Sequence, residues 1–225
     1  MIMNDEISVV IRSKNEERWI GHCLQSVLDF TDSPEIIVVD NKSQDDTIPI
    51  VNSFQHDPDL ESSKNYASTK IIEIDDYSPG KALNKGIKEA KGEYILIISS
   101  HCVLKSFPLD DLKKSLKEHI AIFGNQIPFY NGKRITKRYI WSHFGDDEKI
   151  NMFSDLEKRY FFHNALSFFK RSELLNYPFN ENLTGKEDRY WAIDIVKKKK
   201  TFFYCPAFIA DHHYTPNGNT WKGVG

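Results

Sequence analysis

The stretch GEYILIISSHCVL, residues 92–104, combines a buried strand with a polar end. Its first half is an apolar run rich in isoleucine and introduced by a glycine, which is typical of a strand buried on both faces. Its second half places two hydroxyls, an imidazole and a thiol directly after that run. Three interpretations compete: a plain polar turn, a Cys/His catalytic pair, or one corner of a metal or phosphate site.

The residues before this stretch alternate between strand and helix patterns and indicate the fold class. The sequence predicts strands at 7–12, 35–40, 70–74 and in the quoted stretch, and helices at 19–30, up to Val51 and at 78–92. The strand runs are continuously apolar, which indicates a parallel sheet covered on both faces. We therefore expect an α/β fold in which ligands bind beyond the carboxyl ends of the strands.

The second half of the chain is less regular. A helix is predicted at 109–119, a strand-like segment at 160–171, a helix at 185–200 and a strand after it, while 125–165 is largely polar and aromatic. No internal repeat or low-complexity linker divides the 225 residues. We expect a single domain over 1–225, in which 1–104 and 105–225 form different parts of the site.

Composition argues against several classes of function. With 30 Lys and Arg against 32 Asp and Glu, the net charge of −2 provides no general attraction for nucleic acid. Three cysteines without a CxxC spacing predict no disulfide framework and fit a reducing compartment. No apolar run reaches the roughly 20 residues that span a bilayer. No signal peptide is visible, so a cytoplasmic protein is expected.

Lys197–Lys200 is the one basic block of the chain. A solvated helix end is its simplest explanation, and contact with an anionic membrane surface is the alternative. The alternative would place the protein peripherally on the inner face of the cell membrane.

Polar side chains follow the predicted strands, where a nucleotide-type site would form. RSKNEE (12–17) supplies cations suited to a diphosphate after the first strand, with a solvated loop and a capped helix start as the alternative. Asp40 ends the second strand, where a carboxylate binds a base or ribose, or forms an Asx turn or helix cap with Ser43. Lys81 lies near the end of the third strand, with a plain helix surface as the alternative.

Glu187 and Asp188 lie where a loop, ending in LTGK, enters a predicted helix. A carboxylate held there at a cleft can act as a general base. Acids in a first helical turn are also favoured by the helix dipole without any functional purpose. No GxGxxG and no P-loop is present, so neither dinucleotide nor Walker-type binding is predicted.

Three histidines lie at predicted strand ends: His101 in the opening stretch, and His212 and His213 near the end of the chain. Neutral imidazoles bind Mn²⁺-like or Zn²⁺ ions, and a purely structural role is the alternative. No HExxH motif and no structural-zinc spacing is present. A Cys102–His101 nucleophilic pair is disfavoured, because adjacent residues of a strand point to opposite faces.

Four segments, in this order, resemble a family 2 glycosyltransferase of the GT-A fold: SVVIRSKNEERWIGHCLQSVL, EIIVVDNKSQDDT, GKALNKGIKEAKGEYILIISSHC and GKEDRYWAIDIVKK. The resemblance covers nearly the whole chain. Its specificity lies in the order of the motifs, each of which is weak alone. It implies a Rossmann-like three-layer sandwich with a mostly parallel central sheet, in which 1–104 form the nucleotide-sugar-binding half and 105–225 the acceptor-binding and catalytic half.

The resemblance also implies roles for individual residues. Asp188 would be the general base that deprotonates the acceptor hydroxyl, with Glu187 and Trp191 beside the acceptor. Asp40 would contact the base or ribose of a nucleotide sugar. The other residues of that nucleotide-sugar site would be Arg12, Lys14, Asn15, Glu16, Ser43, Lys81, Ser99 and Ser100.

The chain departs from the family at the end of the opening strand. Members usually carry Asp-x-Asp there, whose acids hold a divalent metal against the diphosphate, and this chain has Ser99-Ser100-His101. Similarity to Asp-x-His variants implies that His101, with His212 or His213, holds Mn²⁺ or Mg²⁺. Metal-independent catalysis, in which nearby cations offset the charge of the leaving group, is the alternative.

The implied activity is an inverting transfer, of hexosyltransferase type, from a nucleoside-diphosphate sugar to a hydroxyl of a glycan or lipid-linked acceptor. Bacterial surface polysaccharide synthesis is the implied setting. Because the acids of the metal motif are missing, a catalytically inactive domain that binds a sugar nucleotide or a partner is the main alternative. A nucleotidyltransferase is a weaker one, since RSKNEE has no glycine for a phosphate loop.

Overall fold

The computed structural model describes residues 6–55, 68–218 and 221. Within these ranges the strands are β1 (Ile7–Ser13), β2 (Glu35–Asp40), β3 (Ser68–Glu73), β4 (Tyr94–Ile98), β5 (Cys102–Ser106), β6 (Ala121–Tyr130), β7 (Lys133–Arg134), β8 (Lys149–Ile150), β9 (Phe153–Ser154), β10 (Arg159–Tyr160), β11 (Leu166–Lys170) and β12 (Phe202–His213). The helices are α1 (Ile20–Phe30), α2 (Thr47–Asn52), α3 (Pro79–Glu89), α4 (Leu109–Ser115), α5 (Arg171–Asn176) and α6 (Glu187–Lys197), and a 3₁₀ helix spans Tyr139–His143.

One large sheet contains strands from both halves of the chain. Its order is β3-β2-β1-β4-β11-β6-β12-β5, with β7 beside β6 and β8 beside β12. β1 to β4 run parallel, as do β6 and β12. β11 is antiparallel to its neighbours β4 and β6, and β5 is antiparallel to β12. The predicted α/β fold with a mostly parallel central sheet is therefore confirmed.

β1, β2 and β4 contain continuous apolar runs because helices cover both faces of the sheet. In β1, Val9 and Ile11 pack in one core cluster with residues of α1 and α4. Val10, between them, packs in a second cluster with residues of α3 and α6. Since successive side chains of a strand point to opposite faces, two covered faces require a continuous apolar run. The result is the three-layer sandwich that the resemblance implied.

Helix α3 begins as its sequence predicts. The Ser78 hydroxyl accepts a hydrogen bond from the backbone N–H of Lys81 (3.1 Å), and Pro79 occupies the first helical position. Gly86 lets the helix approach β1 closely, because a Cβ there would lie 2.6 Å from Cγ1 of Val10. Helix α3 is thereby packed closely against β1.

Three elements differ from the prediction. Residues 92–104 do not form one strand, because β4 ends at Ile98 and the chain turns through 99–101 before β5 begins beside β12. β6 was not predicted, since polar Asn125 and Gln126 interrupt its apolar run. Residues 160–171 are extended only at their ends, because 161–165 leave the sheet to reach the carboxyl ends of the strands.

Lys197–Lys200 are exposed around the C-terminal end of α6, as expected of a solvated helix end. The Lys198 ammonium lies over the ring of Tyr177, 5.0 Å from its centroid. In the part of the chain that the structure describes, no helix has the length and apolar character of a membrane span.

Candidate active site

A cleft of about 260 Å³ opens beyond the carboxyl ends of β1 and β4. Its walls come from segments that are distant in sequence, among them the end of β1 with the residues after it, the turn after β4, residues 163–165 and the start of α6. The predicted site residues that line it are Arg12, Lys14, Glu16, Ser99, Ser100, His101, Glu187 and Asp188. This is the position at which a parallel sheet is expected to bind its ligand.

Asp188 lies on the cleft wall in the first turn of α6, with 7% of its surface exposed. Its Oδ2 accepts hydrogen bonds from Nη1 of Arg189 (3.0 Å) and from the backbone N–H of Asn164 (3.3 Å). Its Oδ1 accepts one from the backbone N–H of Arg189 (2.8 Å). These bonds fix the orientation of a carboxylate that remains on the cleft surface, as a proton acceptor requires.

Burial raises the pKa of Asp188 from its ordinary 3.8 to about 6; the Arg189 guanidinium opposes this rise and the Glu187 carboxylate adds to it. A helix dipole acting alone would favour the charged form of a first-turn acid and lower its pKa. The shift is in the opposite direction. Asp188 is thus a stronger base than an ordinary aspartate while remaining mostly ionised at neutral pH.

Glu187 connects three segments of the cleft wall. Its Oε1 accepts hydrogen bonds from Nη1 of Arg12 and from Nδ2 of Asn164, each at 3.0 Å. The Glu187 side chain is almost fully buried, so this pairing with Arg12 replaces the water that the carboxylate loses. The bonds link the end of β1 to α6 and to the segment before β11. The expected contacts of Glu187 with the acceptor and of Arg12 with the nucleotide sugar remain predictions.

Asp40 forms a turn with Ser43 at the end of β2. Such a turn was the alternative that the sequence left open beside a nucleotide contact. Oδ2 of Asp40 accepts from the backbone N–H of Ser43 (2.7 Å) and its Oδ1 from the Ser43 hydroxyl (2.6 Å). That hydroxyl also accepts from the backbone N–H of Asn15 (2.8 Å), and Nζ of Lys14 donates to the carbonyl of Asn41 (2.7 Å). The loops after β1 and β2 are thereby joined, with Lys14 on the cleft wall and Asp40 behind it.

The residues at the position of the family's acid motif form a tight turn. The backbone N–H of Cys102 donates to the Ser99 carbonyl (2.8 Å), and that of Ser99 donates to the Ala165 carbonyl (2.9 Å). The turn puts Ser99, Ser100 and His101 on the cleft wall and leaves Cys102 in the core. Burial raises the pKa of the Cys102 thiol well above its usual range, so a reactive thiolate is disfavoured.

His101 meets His212 of β12 behind this turn. Their Nε2 atoms lie 3.0 Å apart, and Nδ1 of His212 lies 2.8 Å from Oε1 of Gln126. Nδ1 of His101 lies 3.3 Å from Oε1 of Glu16, without hydrogen-bond geometry. Burial lowers the pKa of His212 well below its usual range, so this imidazole is neutral at pH 7.

Of the two histidines that end β12, only His212 brings its ring to the ring of His101, whereas His213 contacts His101 through its backbone N–H, which donates to the His101 carbonyl (2.9 Å). The His213 ring stacks on Trp19 with centroids 3.9 Å apart, because neighbouring residues of a strand face opposite ways. Imidazole nitrogens bind ions such as Zn²⁺ at about 2.0–2.1 Å, so two ligands of one ion lie about 3 Å apart. The Nε2 spacing fits such a pair. Among the described residues, no group of three or more His, Cys, Asp or Glu could hold a metal.

Asn15, Asp40, Ser43, His212 and His213 are not part of the cleft lining, and two further predicted site residues, Lys81 and Trp191, also lie away from it. The Lys81 ammonium pairs with Asp76 at the surface and is absent from the cleft lining. Trp191 is 4% exposed and shares the buried face of α6 with Ala192 and Ile195. Its indole N–H donates to a backbone carbonyl (2.7 Å), so the side chain is satisfied within the core. The expectation that Trp191 lies beside an acceptor is corrected accordingly.

The cleft lining also includes residues that the sequence did not predict, among them His163, Asn164 and Arg189. His163 and Asn164 lie in the segment that leaves the sheet, and no strand-end pattern marks them. Asn164 bonds Glu187, which is 23 residues away, and nothing local in the sequence indicates that contact. Of these three residues, only Arg189 is marked by a local sequence pattern, since it is a cation that directly follows two acids.

Comparison with protein families gives a match over most of the chain. The model of Glycosyl transferase family 2 matches residues 8–175. That range runs from Ser8, the second residue of β1, past the end of β11 and contains the turn that bears His101. It ends before the Glu187-Asp188 pair at the start of α6.

Two curated bacterial proteins illustrate the sequence similarity. The GalNAc(5)-diNAcBac-PP-undecaprenol beta-1,3-glucosyltransferase of Campylobacter jejuni subsp. jejuni serotype O:2 is 29% identical over 209 residues, which are 90% of this chain and 63% of that protein. The poly(ribitol-phosphate) beta-glucosyltransferase of Bacillus spizizenii is 38% identical over 100 residues, which are 42% of this chain and 14% of that protein. The chain spans less than two thirds of the length of either relative.

Two solved structures share the fold. Staphylococcus aureus TarS 1–349 in complex with UDP-GlcNAc gives a TM-score of 0.70 at 20% identity, over 97% of this chain and 61% of that one. The mannosyltransferase PcManGT from Pyrobaculum calidifontis, in complex with GDP-Man and Mn²⁺, gives 0.64 at 19% identity, over 96% and 59%. The expected GT-A architecture is thereby confirmed.

Proposed function

Since this chain belongs to Glycosyl transferase family 2, we propose that it transfers a sugar from a nucleoside-diphosphate sugar to a hydroxyl group of an acceptor. The observation that carries the proposal is the Asp188 carboxylate, held on the cleft wall with its pKa raised to about 6. The same cleft contains the hydroxyls of Ser99 and Ser100 and the cations of Arg12 and Lys14. A transfer of this kind needs a base and charge-stabilising groups around one substrate site.

In the proposed reaction, the acceptor hydroxyl gives its proton to Asp188 while its oxygen forms a bond to the anomeric carbon. The bond from that carbon to the diphosphate oxygen breaks on the opposite face, so the configuration inverts. The nucleoside diphosphate leaves with the electron pair of the broken bond. Oδ1 is the better proton acceptor, because Oδ2 already accepts two hydrogen bonds, from the Arg189 guanidinium and the Asn164 N–H, whereas Oδ1 accepts one, from the backbone N–H of Arg189.

We propose that the donor binds along the β1 and β4 ends of the cleft. Its diphosphate would lie against Ser99 and Ser100, whose hydroxyls can donate to phosphate oxygens. Its base and ribose would lie against the joined loops after β1 and β2. In this arrangement Asp40 holds the loop through Ser43, and Lys14 is the loop cation that reaches the cleft.

His101 and His212 are the residues that would hold a divalent ion, Mn²⁺ or Mg²⁺, near the diphosphate. A bound ion of this kind offsets the negative charge that develops on a leaving diphosphate. The convergence of the two Nε2 atoms at 3.0 Å supports this assignment. Arg12 and Lys14 are the groups that would offset that charge in a metal-independent reaction.

A glycan or lipid-linked acceptor of a bacterial surface polysaccharide is the acceptor class that we propose. The relatives support it by their names, one of which specifies a PP-undecaprenol-linked glycan and the other poly(ribitol-phosphate). We expect the acceptor to approach beside Glu187 and along 125–165, where Tyr139 and Phe153 are exposed and suited to stacking on sugars. A lipid-linked acceptor would bring the enzyme to the inner face of the membrane.

Donor binding and hydrolysis test the proposal without knowledge of the acceptor. A thermal-shift screen of UDP, dTDP and GDP, each with and without Mn²⁺, should identify one base, because a ligand of the native state raises its stability. The matching sugar nucleotide should then be hydrolysed slowly, with water in place of the acceptor. A protein stabilised by none of the three would refute the donor class. Binding without any hydrolysis would support the inactive, sugar-nucleotide-binding alternative.

A further inference from the structure

A buried polar chain runs behind the pair of His101 and His212 into the core. Gln126 of β6 is fully buried and bridges two histidines. Its Oε1 lies 2.8 Å from Nδ1 of His212, and its Nε2 lies 3.1 Å from Nδ1 of His163. The backbone N–H of Ala165 also points at Nδ1 of His163, at 3.4 Å. None of the roles in the proposed reaction uses Gln126.

The backbone N–H of Ala165 determines the direction of the hydrogen bonds in this chain, because it can only donate. Nδ1 of His163 must therefore accept, and the Gln126 atom that faces it must be the amide nitrogen. The other amide atom is then the carbonyl oxygen, which can only accept, so His212 donates from Nδ1. Because a neutral imidazole carries one hydrogen, Nε2 of His212 is left with a lone pair, which faces Nε2 of His101 at 3.0 Å and accepts a hydrogen bond from it in the metal-free protein.

We propose that Gln126, held by His163, is a positioning residue that fixes His212 as its Nδ1–H tautomer and directs its Nε2 lone pair to a divalent cation shared with His101. The inference deepens the proposed function and rests on it, since the cation is the one assigned to the donor diphosphate. A hydrogen bond to the far nitrogen of a ligating histidine sets its tautomer and ring orientation. Glu16 lies in the corresponding place behind His101, 3.3 Å from Nδ1.

The chemistry of the pair indicates which ions suit it. Imidazole nitrogens favour ions such as Co²⁺ and Zn²⁺, whereas Mg²⁺ prefers oxygen ligands. Among the described residues no carboxylate joins the two imidazoles in a group that could hold a metal, so the pair should bind Co²⁺ more tightly than Mg²⁺. Co²⁺ is therefore the probe of choice.

Two substitutions at Gln126 separate tautomer control from packing. Gln126→Met keeps the side-chain length and removes both hydrogen bonds, whereas Gln126→Glu keeps an oxygen that accepts from His212. Gln25→Met is the matched control, because Gln25 is exposed on α1 and bonds only to Asp29 among the described residues. Thermal unfolding and backbone ¹H–¹⁵N spectra confirm that each variant is folded.

The first readout is the tautomer itself, measured in metal-free protein with ¹⁵N-labelled histidine by long-range ¹H–¹⁵N correlation. We expect the His212 proton on Nδ1 in the wild type and in Gln126→Glu, and its redistribution to Nε2 in Gln126→Met. The second readout is the Co²⁺ affinity by calorimetry, which should fall about 10- to 100-fold in Gln126→Met. Gln126→Glu and Gln25→Met should bind Co²⁺ as the wild type does.

Each outcome decides a different claim. A wild-type His212 protonated on Nε2 overturns the inference, whether or not Gln126→Met folds. Unchanged Co²⁺ affinity in Gln126→Met also overturns it. If His101→Ala and His212→Ala lose Co²⁺ binding in that case, the assignment of the metal site to these two histidines still stands. A wild type that binds neither Co²⁺ nor Mn²⁺ overturns the inference and the metal assignment together, and sugar-nucleotide turnover in excess chelator would then show that the transfer proposal stands.

Discussion

Turnover should depend on pH through the ionisation of Asp188. With its pKa raised to about 6, the carboxylate is about 90% ionised at pH 7 and about 10% ionised at pH 5. Because only the ionised form can accept a proton, kcat/KM should fall about tenfold between these pH values. An ordinary aspartate would stay more than about 90% ionised at pH 5, so its loss of activity over this range would be slight.

The assay is the initial rate of nucleoside-diphosphate release between pH 5 and pH 8 at constant ionic strength. The melting temperature at each pH shows whether the protein stays folded. Asp194→Asn is the matched control, since Asp194 is exposed on the same helix and should leave the profile unchanged. Glu187→Gln keeps the acceptor for Arg12 and Asn164 but removes the nearby negative charge, so its midpoint should move to lower pH. A flat profile down to pH 5, or a midpoint near 4 in the wild type, would refute the reasoning.

Three further substitutions test the positions of residues around the cleft. Asp40→Ala should reduce the free energy of unfolding by about 1–3 kcal/mol in urea titrations, because the N–H and hydroxyl of Ser43 lose their acceptor. Equal stability of mutant and wild type would contradict the turn assignment. Trp191→Phe should also lower stability, by about 1–3 kcal/mol, and leave the acceptor KM unchanged, because the indole lies in the core. A raised KM at unchanged stability would restore Trp191 to the acceptor site. Lys81→Ala should leave the donor Kd unchanged in calorimetry, since its ammonium pairs with Asp76 outside the cleft lining, and a weakened donor would contradict that placement.

The parallel part of the fold could be predicted because its signals are local. In β1, β2 and β4 the apolar runs are continuous, and their alternate residues pack against helices on opposite faces. The Ser-Pro start of α3 is a local signal as well, and its cap is formed as expected. The position of the cleft followed from the same pattern, because the carboxyl ends of parallel strands share one edge of the sheet.

The remaining features depend on contacts between distant residues. The turn at 99–101 is held partly by Ala165, and β5 continues on the far edge of the sheet, neither of which an apolar run can indicate. Gln126 looked like an interruption of a strand, whereas it is a buried residue bonded to two histidines. The choice between His212 and His213 depends on the register of β12, since one residue of difference puts the ring on the other face.

The most direct test of the central claim compares donor binding with turnover in Asp188→Asn. Calorimetry gives the donor Kd, and release of nucleoside diphosphate in the same preparation gives the rate. We predict a donor Kd close to that of the wild type and a rate reduced by about 10²–10⁴-fold, because the substitution removes the base and leaves the cleft shape intact. A variant that binds the donor and turns it over at the wild-type rate would contradict the assignment of Asp188 as the base.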